Sequence, residues 1–508
     1  MAELVYAFDL KSNVQKTCGF KSRPRHQFTA MKTFITTSIP YVNGPPHLGH
    51  AMEFTIADVL ARYARLRGDE VILSIGTDEH GGKIAEKAES LKLTPQEFTD
   101  QMSQKFQDLA TTLEISNDRF IRTTDKDHEA RVQKIWESIK DDLYIKQYQA
   151  WYCTGDEAFF SDAVVKKNNN VCPEHNRPYE KIVEENYFFK LSKYNQRIKD
   201  LIVSNEFLII PETKRNEILS LLDEGLEDIS VSRPKSKIYW GIPVPGDESQ
   251  VIYVWFEALL NYITVLGFPD KSDFKDYWPA SYQVIGKDII RFHAAIWPAI
   301  LMSLGIATPK KLYVHGFINV DNLKMSKSLG NSIDPFAIVD QYGADAFRYF
   351  FLRHIPSYDD GNFSWEAMAS SYQNELGNEL GNAVQRTAVM VKNYLASELP
   401  EPESKKAYDQ EIGSLIENCR FDKALEQIWL RVKNLNQFIE DQKPWSLYKA
   451  GEQKKLVLVL NSQIKALRYI ADLLQPFMPD VSDKISLIFN SKQLNLPERT
   501  LFPRRDLD

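Results

Sequence analysis

The sequence is poor in cysteine, lacks a long apolar run and carries no excess of positive charge. Four cysteines among 508 residues are too few for the disulfide framework of a secreted domain, so we expect a reducing compartment, by default the cytoplasm. The longest nearly apolar stretch, residues 294–307, is shorter than the ~20 residues that span a bilayer, so no membrane partner is expected. The net charge of −7 excludes a general basic field, and any polyanion would have to meet local basic patches.

What is present is typical of a globular protein. Hydrophobic residues make up 43% and charged residues 26% of the chain, and its length suffices for about three domains of ~100–200 residues. Residues 1–30 differ from the rest, because they are basic but lack the apolar centre of a secretory signal. We expect a disordered extension there, with an organellar transit peptide as the alternative; Glu3 and Asp9 count against import.

The pattern that follows this extension predicts a strand, a helix and a second strand. Residues 33–39 are β-branched and aromatic, as in a buried strand. Apolar positions from His50 onward have helical spacing as far as Gly68, and residues 70–76 are typical of a second strand. Such a unit arranges its strands in parallel, which predicts a Rossmann-like sheet.

Two later segments, VIYVWFEALL (251–260) and SYQVIG (281–286), return to strand-like patterns after a long segment with a different sequence pattern. Beyond residue 370 the pattern is almost wholly helical. The predicted fold class is therefore α/β: a Rossmann-like parallel-sheet domain, split by an inserted connective domain and followed by an all-α domain. The expected boundaries are 1–30 for the extension, 31–115 and 233–322 for the two halves of the Rossmann-like domain, 116–232 for the insertion, 323–370 for a connecting region and 371–508 for the helical domain.

The stretch PHLGHAME places His47, Gly49 and His50 where the first strand passes into its helix. Ligands of open parallel sheets bind at the carboxyl ends of the strands, where helix N-termini attract phosphates. The i, i+3 spacing brings both imidazoles to one side of the helix start, and glycine allows a phosphate or a flat ring to approach the backbone. Alone, two histidines beside a glycine are also common as structural or surface residues.

A second motif, LKMSKSLGNS in residues 323–332, combines lysines and serines in a loop with glycine and asparagine at its end. Lysine ammoniums on such a loop can move over a polyphosphate, although similar loops are also ordinary solvated turns. Together and in this order, HLGH and KMSKS resemble the paired signatures of class I aminoacyl-tRNA synthetases, and the resemblance covers nearly the whole chain from Met31. It implies that an amino acid is activated with ATP and transferred to tRNA.

Three further stretches are similar to the methionyl-tRNA synthetase family: GTDEHG (76–81), YVWFEALLNY (253–262) and VIGKDIIRFHAAIWPAIL (284–301). They supply what a methionine pocket needs, a carboxylate for the substrate ammonium and aromatic surfaces for the thioether, whose contacts are worth about 0.3–1.5 kcal/mol. Without this resemblance, an aromatic residue at helical spacing would more often be plain core. The resemblance implies a methionine-binding set made of Ile39, Tyr41, Asp78, Trp255, Ala258, Tyr262, His293 and Trp297.

The same resemblance implies roles around ATP. Both histidines of HLGH hold the phosphates, and its glycine leaves room for adenine. Asp288 binds the ribose, while Lys327, and less directly Lys324, closes over the leaving pyrophosphate. The methionine carboxylate is itself the nucleophile, so the reaction needs positive charge, hydrogen bonds and alignment rather than a general base. Mg²⁺ is implied by the ATP substrate alone.

The expected insertion contains Cys153, Asp156, Cys172 and His175 in the segment WYCTGDEAFF…VCPEHNRP. One subgroup of the methionyl family has a knuckle of the form C-x₂-C…C-x₂-H at this place, and here Asp156 replaces the second cysteine. Tetrahedral zinc accepts carboxylate oxygen as well as cysteine and histidine. The resemblance therefore implies a structural Zn²⁺ site, and the alternative is a knuckle that keeps its fold without metal.

In the predicted helical domain, apolar residues repeat every three to four positions with polar residues opposite, and Pro400 and Pro402 mark a helix break. Asn382 and Arg386 lie one turn apart on the polar side, so both can reach the same bases, and Trp445 in QKPWSLYK resembles the family's stacking tryptophan. We expect these three residues to bind the anticodon of tRNA(Met), initiator and elongator. A helix-cap core position is the alternative for Trp445. No appended tRNA-binding or dimerisation module is recognised, so we expect a monomer.

The sequence leaves three other functions open. Leucyl, isoleucyl and valyl enzymes also belong to class I, but they usually carry a much larger insertion. Nucleotidyltransferases that act on small molecules use related histidine and lysine elements, and the helical domain argues for tRNA instead. A tRNA-binding paralogue without catalysis is the third alternative, and the intact HLGH, KMSKS and GTDEHG argue against it.

Overall fold

The computed structural model describes residues 30–155, 158–160, 162–324, 331–402, 408–496 and 500–504. Two predicted site residues, Asp156 and Lys327, and the predicted extension up to residue 29 lie outside these ranges. Within them, the strands are β1 Lys32–Thr37, β2 Glu70–Thr77, β3 Arg119–Arg122, β4 Leu143–Cys153, β5 Ala158–Phe160, β6 Glu180–Phe189, β7 Leu208–Ile210, β8 Ile229–Ser230, β9 Ser232–Pro234, β10 Pro243–Val244, β11 Asp247–Ile252, β12 Tyr282–Gly286, β13 Lys311–His315, β14 Ile318–Val320, β15 Leu323–Lys324 and β16 Gly361–Phe363.

The helices connect these strands and then continue alone to the end of the described chain. The α-helices are α1 Leu48–Leu66, α2 Gly82–Ser90, α3 Pro95–Thr112, α4 Lys126–Ser138, α5 Asp162–Lys167, α6 Asn195–Val203, α7 Glu212–Glu224, α8 Val254–Leu259, α9 Asn261–Thr264, α10 Ser272–Tyr277, α11 Trp297–Ser303, α12 Pro335–Tyr342, α13 Ala344–Arg353, α14 Trp365–Ser370, α15 Asn382–Tyr394, α16 Gln410–Glu417, α17 Phe421–Gln442, α18 Pro444–Lys449, α19 Gln453–Leu474 and α20 Pro479–Phe489. Short 3₁₀ segments are Lys140–Asp142, Leu191–Tyr194 and Lys287–Ile289, and π-helical segments are Phe292–Ile296 and Ser371–Gly381.

Six parallel strands form the central sheet, in the order β3-β2-β1-β12-β13-β7. The parallel, Rossmann-like sheet predicted from the strand–helix–strand pattern is confirmed. The strand order reverses between β1 and β12, and ligands of such sheets bind at the carboxyl ends of the strands at this switch point. Two of the sheet's strands, β3 and β7, come from the segment 116–232 that the sequence pattern assigns to the insertion, so the sheet draws on part of that segment.

The segment VIYVWFEALL is a strand only at its start. Val251 and Ile252 end β11, and α8 begins two residues later. The strand prediction is therefore wrong beyond Ile252, because a short continuous apolar run does not distinguish a strand from a buried helix. The helix has a functional consequence, since it carries Trp255 and Ala258 on consecutive turns.

The rest of the predicted insertion is built on a long antiparallel hairpin. Strands β4 and β6 pair over most of their length and are flanked by β5 and β8. Two smaller sheets, β10-β11-β9 and β15-β14-β16, lie at the return to the Rossmann-like domain and at the KMSKS motif. In the second of these sheets, β14 and β15 form a hairpin, and Lys324 is the last residue of β15.

Helix α1 joins the sheet to the helical region. Most of its residues are buried, because one side packs on β1 and β2 and another on α13 and α16. At its far end Tyr63 donates a hydrogen bond to Glu417 (3.1 Å). One rigid helix thus runs from the carboxyl edge of the sheet to the helical domain.

The predicted apolar stripe of the helical domain is buried along its whole length: Leu376, Leu380, Val384, Ala388 and Val391 are at most 2% exposed. The first part of this stretch, Ser371–Gly381, is a π-helix rather than the expected α-helix. Its two glycines weaken the α-helical preference there. No helix among those described is long and apolar enough to cross a membrane.

Candidate active site

The first turn of α1 lies at the carboxyl end of β1, at the switch point of the sheet. His47 is the N-cap residue, and its Nδ1 accepts a hydrogen bond from the Gly49 N–H (3.1 Å). The Nδ1 of His50 accepts in turn from the His47 N–H (3.3 Å). The two rings stack, with centroids 3.7 Å apart and planes 19° from parallel. The structure therefore brings the two predicted phosphate-binding histidines together.

These capping bonds decide what the histidines offer to a ligand. A neutral imidazole that accepts at Nδ1 carries its proton on Nε2, which makes Nε2 a hydrogen-bond donor. Two donors at a helix N-terminus, where the helix dipole adds partial positive charge, suit an anion. The first turn of α1 is thus chemically matched to a phosphate.

Beneath this turn lies a buried ion pair that the sequence reading missed. Glu53 of α1 accepts hydrogen bonds from the Ser38 N–H (2.7 Å) and hydroxyl (2.6 Å) with one oxygen, and its other oxygen lies 2.9 Å from His315 Nε2. The second nitrogen of His315, Nδ1, lies 2.9 Å from the Gly316 carbonyl oxygen. Both partners of the ring accept, so both ring nitrogens donate and the ring is an imidazolium.

The surroundings of His315 agree with this charge. Burial lowers its pKa, but the hydrogen bond and charge of Glu53, the Gly316 carbonyl and the carboxylate of Asp288 outweigh burial and raise the pKa above its usual value. His315 thus supplies a fixed positive charge close to Asp288, the predicted ribose ligand. A glutamate inside an apolar helical run was the only signal in the sequence that could have pointed to this pair.

The predicted methionine pocket is centred on Tyr262 and His293. The Tyr262 hydroxyl lies 2.7 Å from His293 Nε2, and His293 Nδ1 lies 3.0 Å from the Ile289 carbonyl oxygen. The carbonyl can only accept, so Nδ1 donates to it and Nε2 accepts from the tyrosine hydroxyl. The ring is neutral, and burial lowers the pKa of His293 to about 4. Trp297, fully buried, packs against Tyr262 with ring centroids 5.7 Å apart.

The loops after β1 and β2 bring the other predicted pocket residues into the same region. Tyr41 and Asp78 form an isolated parallel bridge, flanked by hydrogen bonds from Asp78 N–H to the Pro40 carbonyl and from Val42 N–H to the Asp78 carbonyl. Asp78 is 2% exposed. Burial and the nearby carboxylates of Glu53 and Asp78 raise the pKa of Tyr262, so the pocket and the carboxylates lie close together.

Trp255, a predicted pocket residue, contacts an aromatic residue that was not predicted. Trp255 stacks on Phe292, with ring centroids 4.6 Å apart and planes 18° from parallel. Ala258 follows Trp255 by three residues on α8 and is 6% exposed, whereas Ile39 is half-buried beside the end of β1. Phe292 lies within the stretch that carries the family resemblance, but one phenylalanine in an apolar run gives no signal of its own.

A second buried polar network supports the two walls of the pocket. Glu257 of α8, fully buried, bonds His80 Nδ1 (2.8 Å) and His128 Nε2 (3.0 Å), and His128 Nδ1 lies 2.8 Å from the Thr264 hydroxyl. Burial raises the pKa of Glu257, but the two histidines outweigh burial and hold it below its ordinary value. The network joins the helix that carries Trp255 to the loop that carries Asp78.

On the nucleotide side, the predicted ligands are more exposed. Asp288 is exposed in the 3₁₀ turn after β12, and Lys324 is exposed at the end of the β14–β15 hairpin. Asn331 donates to the Lys324 carbonyl (3.2 Å), which brings the two ends of the KMSKS loop together. Lys327 falls between these two residues in the chain, outside the described ranges.

The predicted metal ligands converge in the insertion. Ligand atoms of Cys153, Cys172 and His175 all lie within 4.8 Å of one another. A Cβ on Gly155 would lie 2.3 Å from the His175 ring, so this position requires glycine. Three of the four proposed ligands therefore lie at one place, and the fourth, Asp156, lies outside the described residues.

The predicted anticodon residues lie far along the chain in the helical domain. Arg386 places its guanidinium 5.5 Å from the centre of the Trp445 ring and pairs with Glu440 (2.7 Å). Asn382 is exposed one turn before Arg386 on α15. The structure thus brings Arg386 and Trp445 into contact on an accessible face.

The comparisons with known proteins agree with this geometry. A family model described as "tRNA synthetases class I (M)" matches residues 33–181 and 175–388, and with the fold and site it defines a class I tRNA synthetase. The Methionine--tRNA ligase of Caldanaerobacter subterraneus is 42% identical over 471 residues, which are 89% of this chain and 73% of the relative. The Thermotoga maritima enzyme of the same name is 40% identical over 471 residues, 90% of this chain and 75% of the relative.

A solved structure extends the similarity to three dimensions. The methionyl-tRNA synthetase of Mycobacterium tuberculosis in complex with methionyl-adenylate has a TM-score of 0.86 and 36% identity, and the alignment covers 93% of this chain and all of that one. The chain belongs to the methionyl-tRNA synthetase family.

Proposed function

We propose that this chain activates L-methionine with ATP and transfers the methionyl group to tRNA. The observation that carries the proposal is the meeting of two unlike sites at one edge of the sheet. A phosphate-binding helix start, with His47 and His50, lies beside a buried pocket that contains Asp78, Tyr262 and a neutral His293. The names of the relatives and the adenylate bound by the Mycobacterium tuberculosis enzyme support the same function.

In the first step, an oxygen of the methionine carboxylate bonds to the α-phosphorus of ATP while the bond from that phosphorus to the β-phosphate oxygen breaks. The products are methionyl-adenylate and pyrophosphate. Charge moves onto the pyrophosphate, so positive charge and donors near the phosphates lower the barrier. In the second step, a hydroxyl of the terminal tRNA ribose attacks the activated carbonyl, and AMP leaves.

The nucleotide half of the cleft is assigned as follows. His47 and His50 bind the phosphates through Nε2, Gly49 leaves room for adenine, and Asp288 binds the ribose. Lys324 and Lys327 approach the leaving pyrophosphate. Mg²⁺ enters with ATP, because it prefers phosphate oxygens and water to a dedicated protein cage.

The methionine half is assigned to the residues of the pocket. Asp78 binds the substrate ammonium, and the aromatic rings of Trp255, Tyr262 and Trp297 surround the thioether, with His293 behind Tyr262. Ile39, Tyr41 and Ala258 complete the lining. A thioether is uncharged, so a neutral, buried and aromatic surface suits it better than a charged one.

The reaction itself is tested by amino-acid-dependent exchange of pyrophosphate into ATP. Exchange should require methionine and should not proceed with leucine or cysteine. Lys327→Ala should lower the adenylation rate by roughly 10²–10³, the usual cost of losing one preorganised charge or donor. Exchange supported equally by leucine would contradict the assignment to methionine.

We assign recognition of tRNA(Met), both initiator and elongator, to the face that carries Asn382, Arg386 and Trp445. Bases of a single-stranded loop stack on aromatic rings and bond through their exposed edges. Stacking of one base is worth about 1–3 kcal/mol, so Trp445→Ala should weaken charging by roughly 5- to 150-fold. Methionine-dependent exchange should remain near the parent value, and equal loss of both would contradict the assignment.

We also propose a structural zinc site in the insertion. The donor set fits zinc, since two cysteine sulfurs and an imidazole lie within 4.8 Å of one another and a fourth ligand is available two residues after Thr154, at Asp156. Cys153, Cys172, His175 and Asp156 would hold the ion, whose role is to stabilise the knuckle. Elemental analysis should find about one zinc per chain, and Asp156→Asn should weaken its retention. Absence of zinc together with free alkylation of both cysteines would favour a metal-free knuckle.

We place the protein in the cytoplasm and propose that it acts as a monomer. The scattered cysteines, three of them buried thiols in the described residues, suit a reducing compartment. Sedimentation of the purified chain tests the monomer, and targeting of residues 1–30 fused to a fluorescent protein tests the location.

A further inference from the structure

The loop between α13 and β16 connects two separate parts of the molecule. We call residues 356–360 the strap. The strap follows the last turn of α13 and leads directly into β16, the strand beside the hairpin that carries Lys324. Its side chains bond to the helical domain at one end and to the nucleotide half of the cleft at the other.

The first end of the strap is attached to the junction of α16 and α17. The Ser357 hydroxyl donates to Asp422 (2.8 Å), and the Tyr358 hydroxyl donates to the Asn418 carbonyl. The Ser357 carbonyl accepts from the hydroxyl of Tyr313, which is fully buried in β13 of the central sheet. This end is therefore held by both domains.

The second end of the strap is attached to the turn after β12. Lys287 Nζ lies 2.7 Å from each carboxylate oxygen of Asp360, and Asp360 also accepts from the Phe317 N–H (2.8 Å). The Lys287 ammonium lies 4.4 Å from the centre of the Phe317 ring. Lys287 is the direct neighbour of Asp288, the residue assigned to the ribose.

Backbone packing keeps this end of the strap close to the sheet. A Cβ on Gly316 would lie 2.3 Å from the Asp359 carbonyl oxygen, so only glycine permits the approach. Immediately afterwards β14 pairs in parallel with β16, with Ile318 opposite Gly361, and β14 pairs with β15 through Asn319 and Lys324. We call the 3₁₀ turn Lys287–Ile289 the ribose turn and the β14–β15 hairpin, which carries Lys324, the KMSKS hairpin. Asp360 lies where the ribose turn and the KMSKS hairpin meet.

We propose that Asp360 is a positioning residue for adenylation: through Lys287 and Phe317 it holds the ribose turn and the KMSKS hairpin in register. The proposal rests on the proposed function and deepens it, because nothing in the chemistry of the motifs assigns a role to this carboxylate. The contacts of Asp360 are with Lys287 and the Phe317 N–H, so its effect reaches ATP through the two segments that it joins. A misplacement of catalytic groups by about 1 Å can cost roughly 10²-fold in rate, so a modest clamp has a measurable effect.

The carboxylate is charged at neutral pH. Burial raises its pKa, but the hydrogen bond and charge of Lys287 and the Phe317 N–H outweigh burial and hold the pKa of Asp360 below its ordinary value. The side chains of Lys287 and Asp360 are 26% and 41% exposed, so the pair contributes little to the stability of the whole domain. A variant should therefore change kinetics more than melting temperature.

The test is Asp360→Asn, which keeps the shape and the acceptor for the Phe317 N–H but removes the charge. We expect kcat/KM for ATP in methionine-dependent exchange to fall by about 5- to 30-fold, within the range for a small misalignment. The KM for methionine should stay within about twofold, since the hydrogen bonds of the strap lead to the helical domain, to Tyr313 and to the turn that carries Asp288. The Kd for a non-hydrolysable ATP analogue, measured by calorimetry without methionine, should rise, because the variant also weakens ATP binding.

Three further variants separate positioning from loss of a surface ion pair. Asp276→Asn removes a similarly exposed ion pair with Lys32, which lies at the amino end of β1, away from the carboxyl ends of the strands. It should leave ATP kinetics unchanged. Lys287→Arg should keep most of the activity, while Lys287→Met should match Asp360→Asn. The double variant Lys287→Met with Asp360→Asn should be no worse than either single variant, because both remove the same contact.

The outcomes are distinct. Asp360→Asn kinetics equal to those of Asp276→Asn would overturn the positioning role, as would equal loss in ATP and methionine constants with a lowered melting temperature. If Asp360→Asn fails to fold, Lys287→Met decides by the same criteria. Failure of the parent protein to catalyse methionine-dependent exchange would instead overturn the proposed function, and the ATP-analogue affinities would still test the clamp.

Discussion

Each half of the cleft contains a buried histidine, and the two histidines carry different charges. In the nucleotide half, His315 faces acceptors on both sides, the Glu53 carboxylate and the Gly316 carbonyl, and its pKa is raised. In the methionine half, His293 faces one acceptor and one donor, the Tyr262 hydroxyl, and its pKa falls to about 4. Both residues are at most 6% exposed, so burial alone does not explain the difference.

The hydrogen-bond partners explain it instead. A carboxylate stabilises the imidazolium and repays its desolvation, whereas a hydroxyl donor needs the neutral ring as its acceptor. The difference suits the two ligands, because phosphates require positive charge nearby and a thioether requires a neutral surface. The same residue type therefore carries opposite charge states after two neighbouring strands, since His293 follows β12 and His315 ends β13.

The largest expected effect comes from Glu53→Gln, which removes the counter-charge of His315. Breaking a buried ion pair by removal of one partner costs about 3–5 kcal/mol. At about 2–4 °C per kcal/mol for a domain of this size, the calorimetric transition of the Rossmann-like domain should fall by roughly 6–20 °C. Ser38→Ala, which removes one hydrogen bond to the same carboxylate, is the matched control and should have a much smaller effect. A transition unchanged by Glu53→Gln would show that His315 is not charged.

His50→Ala should have the next largest effect, and only in the nucleotide half. The rate of adenylate formation in a single turnover should fall by about 10²–10³, because one preorganised donor to the phosphates is lost. The Kd for methionine should stay within about twofold. His354→Ala, at a partly exposed histidine paired with Glu375, serves as control. A decrease of less than threefold would remove His50 from the catalytic groups.

Tyr262→Phe should have a smaller effect, in the methionine half. It leaves the Nε2 acceptor of His293 without its donor in a buried site, which costs about 1–2 kcal/mol. The KM for methionine should rise roughly 5- to 30-fold, while the KM for ATP stays constant. Tyr194→Phe removes a buried hydroxyl bonded to Asp142 in the insertion and should change neither constant. Equal changes in both constants would contradict the separation of the two halves.

The smallest effect is expected from pH. The raised pKa of His315 stabilises the fold below pH 6.5, and this stabilisation is lost as pH rises through the folded pKa. The lowered pKa of His293 stabilises the fold above pH 6.5, and this stabilisation is lost as pH falls towards 4. His293 remains neutral well above its pKa of about 4, so the KM for methionine should vary less than about twofold from pH 6.5 to 7.5.

Imidazole NMR signals measure the two charges directly. His315→Gln and His293→Gln assign the two resonances by their disappearance. At pH 6.5 the His315 signal should be that of an imidazolium and the His293 signal that of a neutral ring. Titration of both near the ordinary value would remove the contrast on which the comparison rests.

Much of the candidate site could be predicted from short motifs, because their residues are neighbours in the chain. His47 and His50 lie on one helical turn, and i, i+3 spacing is enough to bring them together. The parallel sheet followed from the pattern between residues 33 and 76. The helix at Val254–Leu259 was predicted as a strand, since an apolar run has no period that distinguishes the two.

The sequence by itself therefore determined the class of fold, the location of the turn to which we assign the phosphates and the residue types available to each proposed ligand. Only the tertiary structure decided the charge of each buried histidine and the partners of Glu53, Glu257 and Asp360. These groups lie far apart in the chain; His315 is separated from Glu53 by 262 residues. A pKa depends on burial and on neighbours in space, and neither is encoded in local spacing.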